Sequence, residues 1–287
     1  IPDPGRGHHA FVTPQGHEFE VFSDARSGVA QIMLRSRVYA GDWGPLEQVS
    51  AGGSGAIQPS LAALPGGDLA VAWADRRSGL YQIWVRSRIG GVWTAERAIS
   101  ASNRSCTAPT LSADDQGRVY AAWLEQGPER AALKFLAFHW AMPFGTARTV
   151  TDTLDAPSAP VLSSSPDGRT WRLWPDRRTG QYAIMFARYS PDSGLGPRQR
   201  YTSNVVLQQP SVDVVTSVDG TAYVVWQQSS AGASELHYMK RPATGPFTAR
   251  DTVVVGSTEI LQNPCITLDV LGGLHLVYER GAPLGIQ

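Results

Sequence analysis

An aromatic residue that closes an apolar run recurs at almost constant spacing from one end of this 287-residue chain to the other. The anchors are Phe22, Trp73, Trp123, Trp174, Trp226 and Tyr278, separated by 51, 50, 51, 52 and 52 residues. A period of this length and regularity marks a repeat architecture, in which each unit is one supersecondary element that buries its faces by stacking on its neighbours.

The units align closely. GHEFEVFSDARSGVAQIMLRSR (16–37) and GDLAVAWADRRSGLYQIWVRSR (67–88) match without a gap, and the fourth repeat keeps the outline as WPDRRTGQYAIMFAR (174–188). Within a unit, short apolar runs alternate with turn signals: PSLAAL is broken by Pro65-Gly66-Gly67, LAVAWAD ends in the turn Arg76–Gly79, and YQIWVRSR ends at Gly90-Gly91 before WTAERAIS. That is four strands per repeat, with no competing 3.6-residue period and so almost no helix. Runs such as LAVAWA and TAYVVW are apolar throughout because both faces of each sheet pack against another sheet. The pattern predicts an all-β chain, a six-bladed β-propeller of four-stranded antiparallel blades, in one domain spanning 1–287. Its repeats fall at about 8–50, 59–100, 109–150, 160–203, 210–255 and 264–287.

The sixth repeat stops at the equivalent of Gln31, so the expectation is five full blades and an incomplete sixth. The segment IPDPGRG before the first strand is too short and proline-rich to complete it, which implies either a fragment or completion by another segment or chain. Glu18 and Glu20 stand where Leu69 and Val71 stand in the second repeat, so one blade face has turned acidic, as an end blade tolerates.

Zero formal net charge and a pI near neutrality exclude a basic field for nucleic acid or anionic membrane. Only Lys134 and Lys240 among the 25 basic residues are lysine, a bias of the kind that GC-rich coding produces. No apolar stretch reaches transmembrane length. The chain begins at Ile1 without a signal-peptide pattern, so any targeting segment has been removed. Cys106 and Cys265 belong to blades expected far apart and read as small buried hydrophobes rather than a disulfide.

The turn aromatic-x-Asp-x-Arg-x-Gly, followed by an Ile-rich strand and Arg-Ser, resembles repeats of the bacterial sialidase (neuraminidase) superfamily. That family carries Asp-boxes, Ser-x-Asp-x-Gly-x-Thr-Trp, between the third and fourth strands of a blade. Ser190-Pro191-Asp192-Ser193-Gly194 matches the first half of such a box, with Gly196 and Pro197 in place of Thr-Trp. Ser165–Trp171 is a near-match one residue short, between a first and a second strand. The resemblance implies the propeller fold and a secreted or cell-surface bacterial location. It carries no catalytic constellation over, because the family's Arg-Ile-Pro segment is missing and no Tyr-Glu pair can be placed.

Three sets of polar residues are candidates for a site. Asp24 and Arg26, Asp75 and Arg77, and Asp176 and Arg178 occupy equivalent positions in the turn from second to third strand, with Glu125 at the Asp position of the third repeat. They are either turn chemistry, with Gly28, Gly79 and Gly180 supplying positive φ, or several weak sugar sites adding through avidity, beside Tyr81 and Tyr182. Glu18 and Glu20, two apart on a strand and so about 6–7 Å apart on one face, are the catalytic candidates, at a spacing suited to inverting glycoside hydrolysis. His8-His9 lacks a third metal ligand, and Arg172 shares the strand position of Glu20 as a solvated or blade-bridging arginine. The sequence assigns no metal, no cofactor and no catalytic set. It favours a non-catalytic binding or scaffold propeller taking a glycan or protein ligand, with a sialidase-type hydrolase or a purely structural module as the alternatives.

Overall fold

A computed structural model describes residues 8–13, 16–51, 55–154, 158–177, 182–200, 211–230, 233–248, 251–256, 260–269 and 271–281. The chain divides into two compact units, 1–152 and 153–287. In the first, blade one is built from β1 (His8–Val12), β2 (His17–Asp24), β3 (Gln31–Val38) and β4 (Glu47–Gln48). Blade two comprises β5 (Ile57–Ala63), β6 (Leu69–Asp75) and β7 (Gln82–Ile89), with the short β8 (Val92–Trp93) and β9 (Arg97–Ala98) both paired to β7. Blade three comprises β10 (Cys106–Ala113), β11 (Arg118–Glu125), β12 (Ala131–His139) and β13 (Arg148–Leu154).

In the second unit, blade four holds β14 (Val161–Ser164), β15 (Thr170–Asp176) and β16 (Ala183–Ser190), with β17 (Gly194–Leu195) and β18 (Gln199–Arg200) on β16. Blade five holds β19 (Val212–Thr216), β20 (Ala222–Ser230), β21 (Ala233–Arg241) and β22 (Asp251–Gly256). The sixth repeat forms a hairpin, β23 (Ile260–Leu268) paired with β24 (Leu274–Gly281). Among the described residues the one helical turn is Pro65–Gly67.

The fold is an all-β β-propeller with antiparallel blades, five of them among the described residues. The six-bladed expectation is corrected. The anchor aromatic lies on the second strand of each unit, so a two-stranded hairpin scores a repeat without making a blade. Exposure separates the two cases: β6 and β15 are buried along their whole length, whereas Leu274 and Val277 on β24 are exposed. Cys265, expected to be buried, is exposed on this hairpin, while Cys106 is buried in blade three; both are free thiols.

Trp73, Trp123, Trp174 and Trp226 are at most 1% exposed. Each such indole removes on the order of 150–250 Å² from water, several kcal/mol of burial at about 25 cal/mol per Å². Between blades one and two, Phe19, Val21 and Leu34 pack against Leu61, Leu69, Val71 and Trp73.

A second contact recurs with the same period. Residues 13 before the anchors Phe22, Trp73 and Trp226 are His9, Ser60 and Asp213. Each accepts a hydrogen bond from a backbone N–H on the first strand of the following repeat: Leu61 N to His9 Nδ1 at 2.9 Å, Leu111 N to Ser60 Oγ at 3.0 Å, and Ile266 N to Asp213 Oδ2 at 2.9 Å. The donor strands are bulged just beforehand, with Gln58, Ala108 and Asn263 at φ of 55°, 52° and 50°. A bulge turns an amide that would point along the sheet toward the neighbouring blade. Within a blade, a second repeated lock joins the start of β3 or β7 to the end of the repeat. Ser50 Oγ donates to Gln31 Oε1 and accepts from Ile32 N; Ser100 does the same with Gln82 and Ile83.

Two of the accepting groups have displaced ionisations. Burial, with a smaller contribution from the charge of His8, pushes His9 down from 6.5 to about 4, and burial lifts Asp213 to about 6 against the hydrogen bonds it accepts. His9 must be neutral for Nδ1 to accept. The unfolded chain takes up a proton near pH 6.5 and the folded one only near 4, so the stability carried by this tie is complete above about pH 6.5 and is lost as pH falls toward 4. The loss amounts to up to about 3 kcal/mol. We expect the urea midpoint of the wild type to fall through this window and that of a His9→Gln variant, whose amide oxygen can accept in place of Nδ1, to fall distinctly less. Equal slopes would refute the assignment.

Candidate functional site

Blade one carries a charged groove on the face of β2 turned away from Phe19 and Val21. Strand alternation puts Glu18 and Glu20 on that face, and antiparallel register sets Glu18 directly opposite Arg37 and Glu20 opposite Arg35. Glu18 Oε2 accepts from Arg37 Nε at 2.8 Å. Glu20 accepts from Arg35 Nε and, through Oε1, from His8 Nε2 at 2.8 Å. Trp43, just beyond β3, has the Arg35 and Arg37 guanidinium carbons 4.3 and 4.6 Å from its ring centroid, in cation–π contact. Ala10, Phe11 and Val12 complete the lining of a groove of about 210 Å³.

The electrostatics of the groove decide its chemistry. Burial raises the Glu20 carboxyl, but the hydrogen bond and charge of Arg35, followed by those of His8, outweigh it and hold the group below the ordinary range. An inverting hydrolase needs one carboxyl kept protonated by a raised pKa and a second free to activate water. Here both carboxylates are brought into one groove, each ion-paired with the arginine opposite it, and Glu20 is held charged by its partners.

The Asp-Arg turns have a different geometry. Asp24 Oδ1 accepts from the backbone N–H of Arg26 at 2.9 Å and Oδ2 from its Nε at 2.8 Å. Asp75 repeats the backbone contact with Arg77 at 2.9 Å and takes Arg77 Nη2 at 2.6 Å. Arg77 also pairs with Glu96 and lies 4.1 Å from the Trp84 ring centroid. Gly28 and Gly79 supply φ of 91° and 95° in the same turns. Each aspartate thus caps its own turn and each arginine folds back on it. Arg26 is largely exposed, whereas Asp75 is 1% exposed beneath Arg77. Asp176 is buried at the end of β15, and Arg178 lies outside the described residues. In blade three the equivalent Glu125 pairs with Lys134 at 3.3 Å.

The two adjacent histidines part company: His8 serves Glu20 and His9 ties blade one to blade two. Among the described residues no group of three His, Cys, Asp or Glu side chains is placed to hold a metal. Arg172 is not solvated but fully buried in β15, where desolvation, partly offset by Tyr189, pushes it down to about 9. Its strand is apolar on both faces, so exposure was not available to it. The Ser165–Trp171 near-match forms a turn held by its own side chains, with Ser165 Oγ donating to Asp167 Oδ1 at 2.5 Å. Ser217 and Asp219 repeat the contact in blade five. The signal was Ser-x-Asp-Gly at both places, 52 residues apart.

No protein-family model matches the chain, and no curated protein matches it in sequence. Solved structures do. A protein of unknown function from Dyadobacter fermentans is similar over 98% of this chain and 91% of its own, with a TM-score of 0.64 and 13% identity. An ulvan lyase of polysaccharide lyase family PL25, bound to -[GlcA(1-4)Rha3S]-, is similar over 98% of this chain and 79% of its own at a TM-score of 0.65 and 7% identity. The NanB sialidase from Streptococcus pneumoniae is similar over 96% of this chain and 65% of its own, at a TM-score of 0.65 and 9% identity. The likeness is one of fold. It bears out the β-propeller that the resemblance to sialidase repeats implied.

The contrast between the first two Asp-Arg turns is measurable. Arg77→Ala takes the guanidinium from the buried Asp75, which keeps its backbone and Trp73 contacts, and is expected to lower stability by about 2 kcal/mol in urea denaturation, while Arg26→Ala, at an exposed pair, is expected to change it far less. Equal losses in the two variants would overturn this account of the turns.

Proposed function

We propose that this chain is a non-catalytic binding propeller of a secreted or cell-surface bacterial protein, that its ligand is a saccharide, and that the blade-one groove holds it. The observation that carries this reading is the pairing of both groove carboxylates with arginine, which leaves polar acceptors and donors beside the Trp43 ring but no proton donor. Aromatic faces edged by fixed charged hydrogen-bonding groups suit a polyhydroxylated ligand, with the carboxylates accepting from hydroxyls and the guanidinium forks donating to them. The fold neighbours support a saccharide. They include a sialidase and a lyase bound to -[GlcA(1-4)Rha3S]-. The Asp-Arg turns are the second place where a sugar could be held, and their charges already satisfy one another.

A glycan-array screen of the whole chain, beside a panel of fluorogenic sialosides and glycosides, tests the proposal. Saturable binding without turnover is expected, about tenfold or more weaker in Trp43→Ala. Turnover would overturn the non-catalytic reading. Binding lost in Arg77→Ala but kept in Trp43→Ala would move the ligand to the turns. Silence on every glycan would overturn the saccharide.

A further inference from the structure

Three arginines gather in the seam between blades four and five. Arg188 on β16 lies directly across the strand pair from Trp171, with its guanidinium carbon 5.6 Å from the Trp171 ring centroid. Arg241, at the end of β21, approaches the same ring to 5.9 Å and the Phe247 ring to 4.9 Å. Arg169, in the turn before β15, completes the group, and its guanidinium reaches Asp167 Oδ2 at 3.2 Å.

The charges do not balance. Among the described residues Asp167 is the carboxylate beside them: it pairs with Arg169 and acts on Arg188 through its charge, and it is itself exposed. Arg188 spends one hydrogen bond on the Ala243 carbonyl at 3.2 Å, while its buried Nε has no hydrogen-bond partner among the described residues. The buried indole N–H of Trp171 is in the same condition. Burial first, then the charges of Arg169 and Arg241, pull Arg188 below its ordinary value, with Asp167 opposing them. Aromatic faces soften the placement of a guanidinium, but they supply no acceptor for its N–H groups. An orphaned buried donor beside like charges is costly, and a bound oxyanion relieves both terms at once, since arginine forks match carboxylate and sulfate geometry.

The geometry points to an oxyanion site in this seam, formed by Arg169, Arg188 and Arg241 over Trp171, that takes a carboxylate or sulfate group. The group arrives either as a free ion or on an acidic saccharide, and the same fork serves both. The site is independent of the blade-one groove, so it stands or falls without the saccharide proposal made for that groove.

The test is thermal denaturation and calorimetric titration of the whole chain at low ionic strength with sodium sulfate, sodium glucuronate and, at matched ionic strength, sodium chloride. Sulfate, glucuronate or both are expected to raise the melting midpoint saturably beyond the screening effect of chloride. Sulfate alone identifies a free-ion site, and glucuronate binding a site for acidic sugars. Arg188→Gln and Arg241→Gln should each weaken the binding by about tenfold or more. In anion-free buffer Arg241→Gln should melt no lower than wild type, because it relieves repulsion, a readout that needs no ligand. Stabilisation no greater than that by chloride, binding unchanged in both variants, or a marked loss of stability in anion-free Arg241→Gln would overturn the inference.

Discussion

At three of the joints one side chain on the first strand of a repeat accepts a hydrogen bond from a backbone amide of the next, and this contact sets how those sheets stack. Hydrophobic burial between blades is large but non-directional, so it fixes neither the register of one sheet on another nor the height at which they meet. A hydrogen bond from Leu61 to His9, or from Leu111 to Ser60, does fix it. The bulge that precedes each donor is what frees the amide from its own sheet. It also places non-glycine residues at positive φ, a strain of about 1–3 kcal/mol per residue that the surrounding contacts must hold.

That geometry also explains why blade one carries the groove. Its β2 keeps the apolar residues Phe19 and Val21 only on the side that meets blade two. On the other side charge is tolerated provided each carboxylate has a partner, and the antiparallel register supplies one directly across the strand in Arg37 and Arg35. Matching of this kind keeps a half-buried acidic face stable and holds Glu20 in its charged form.

The period of the anchors made the blades legible in the sequence, down to strand order and the position of each turn, because burial on both faces leaves an unbroken apolar run. It overcounted by one, since an anchor on β24 signals a hairpin as strongly as a blade. Glu18 and Glu20 were legible as neighbours on one face, whereas their arginines were not, because pairing across strands depends on register rather than spacing. The acceptor position was hidden for another reason: histidine, serine and aspartate share no propensity, and only the structure shows that they do one job. The arginine cluster was invisible because Arg188 and Arg241 come from different blades, 53 residues apart in the chain.

The tie is asymmetric in what it asks of its two ends. The accepting end needs a polar side chain, but the giving end needs only an amide, which every residue except proline provides. Leu61, Leu111 and Ile266 serve equally well. The giving side is therefore constrained by packing rather than by hydrogen-bonding chemistry: Leu61, Leu111 and Ile266 are buried, so an apolar residue of similar size keeps the joint and a truncation costs it. A fold fastened in this way is buffered against neutral drift, and its chains can lose all recognisable kinship in sequence while the joints between their sheets remain in place.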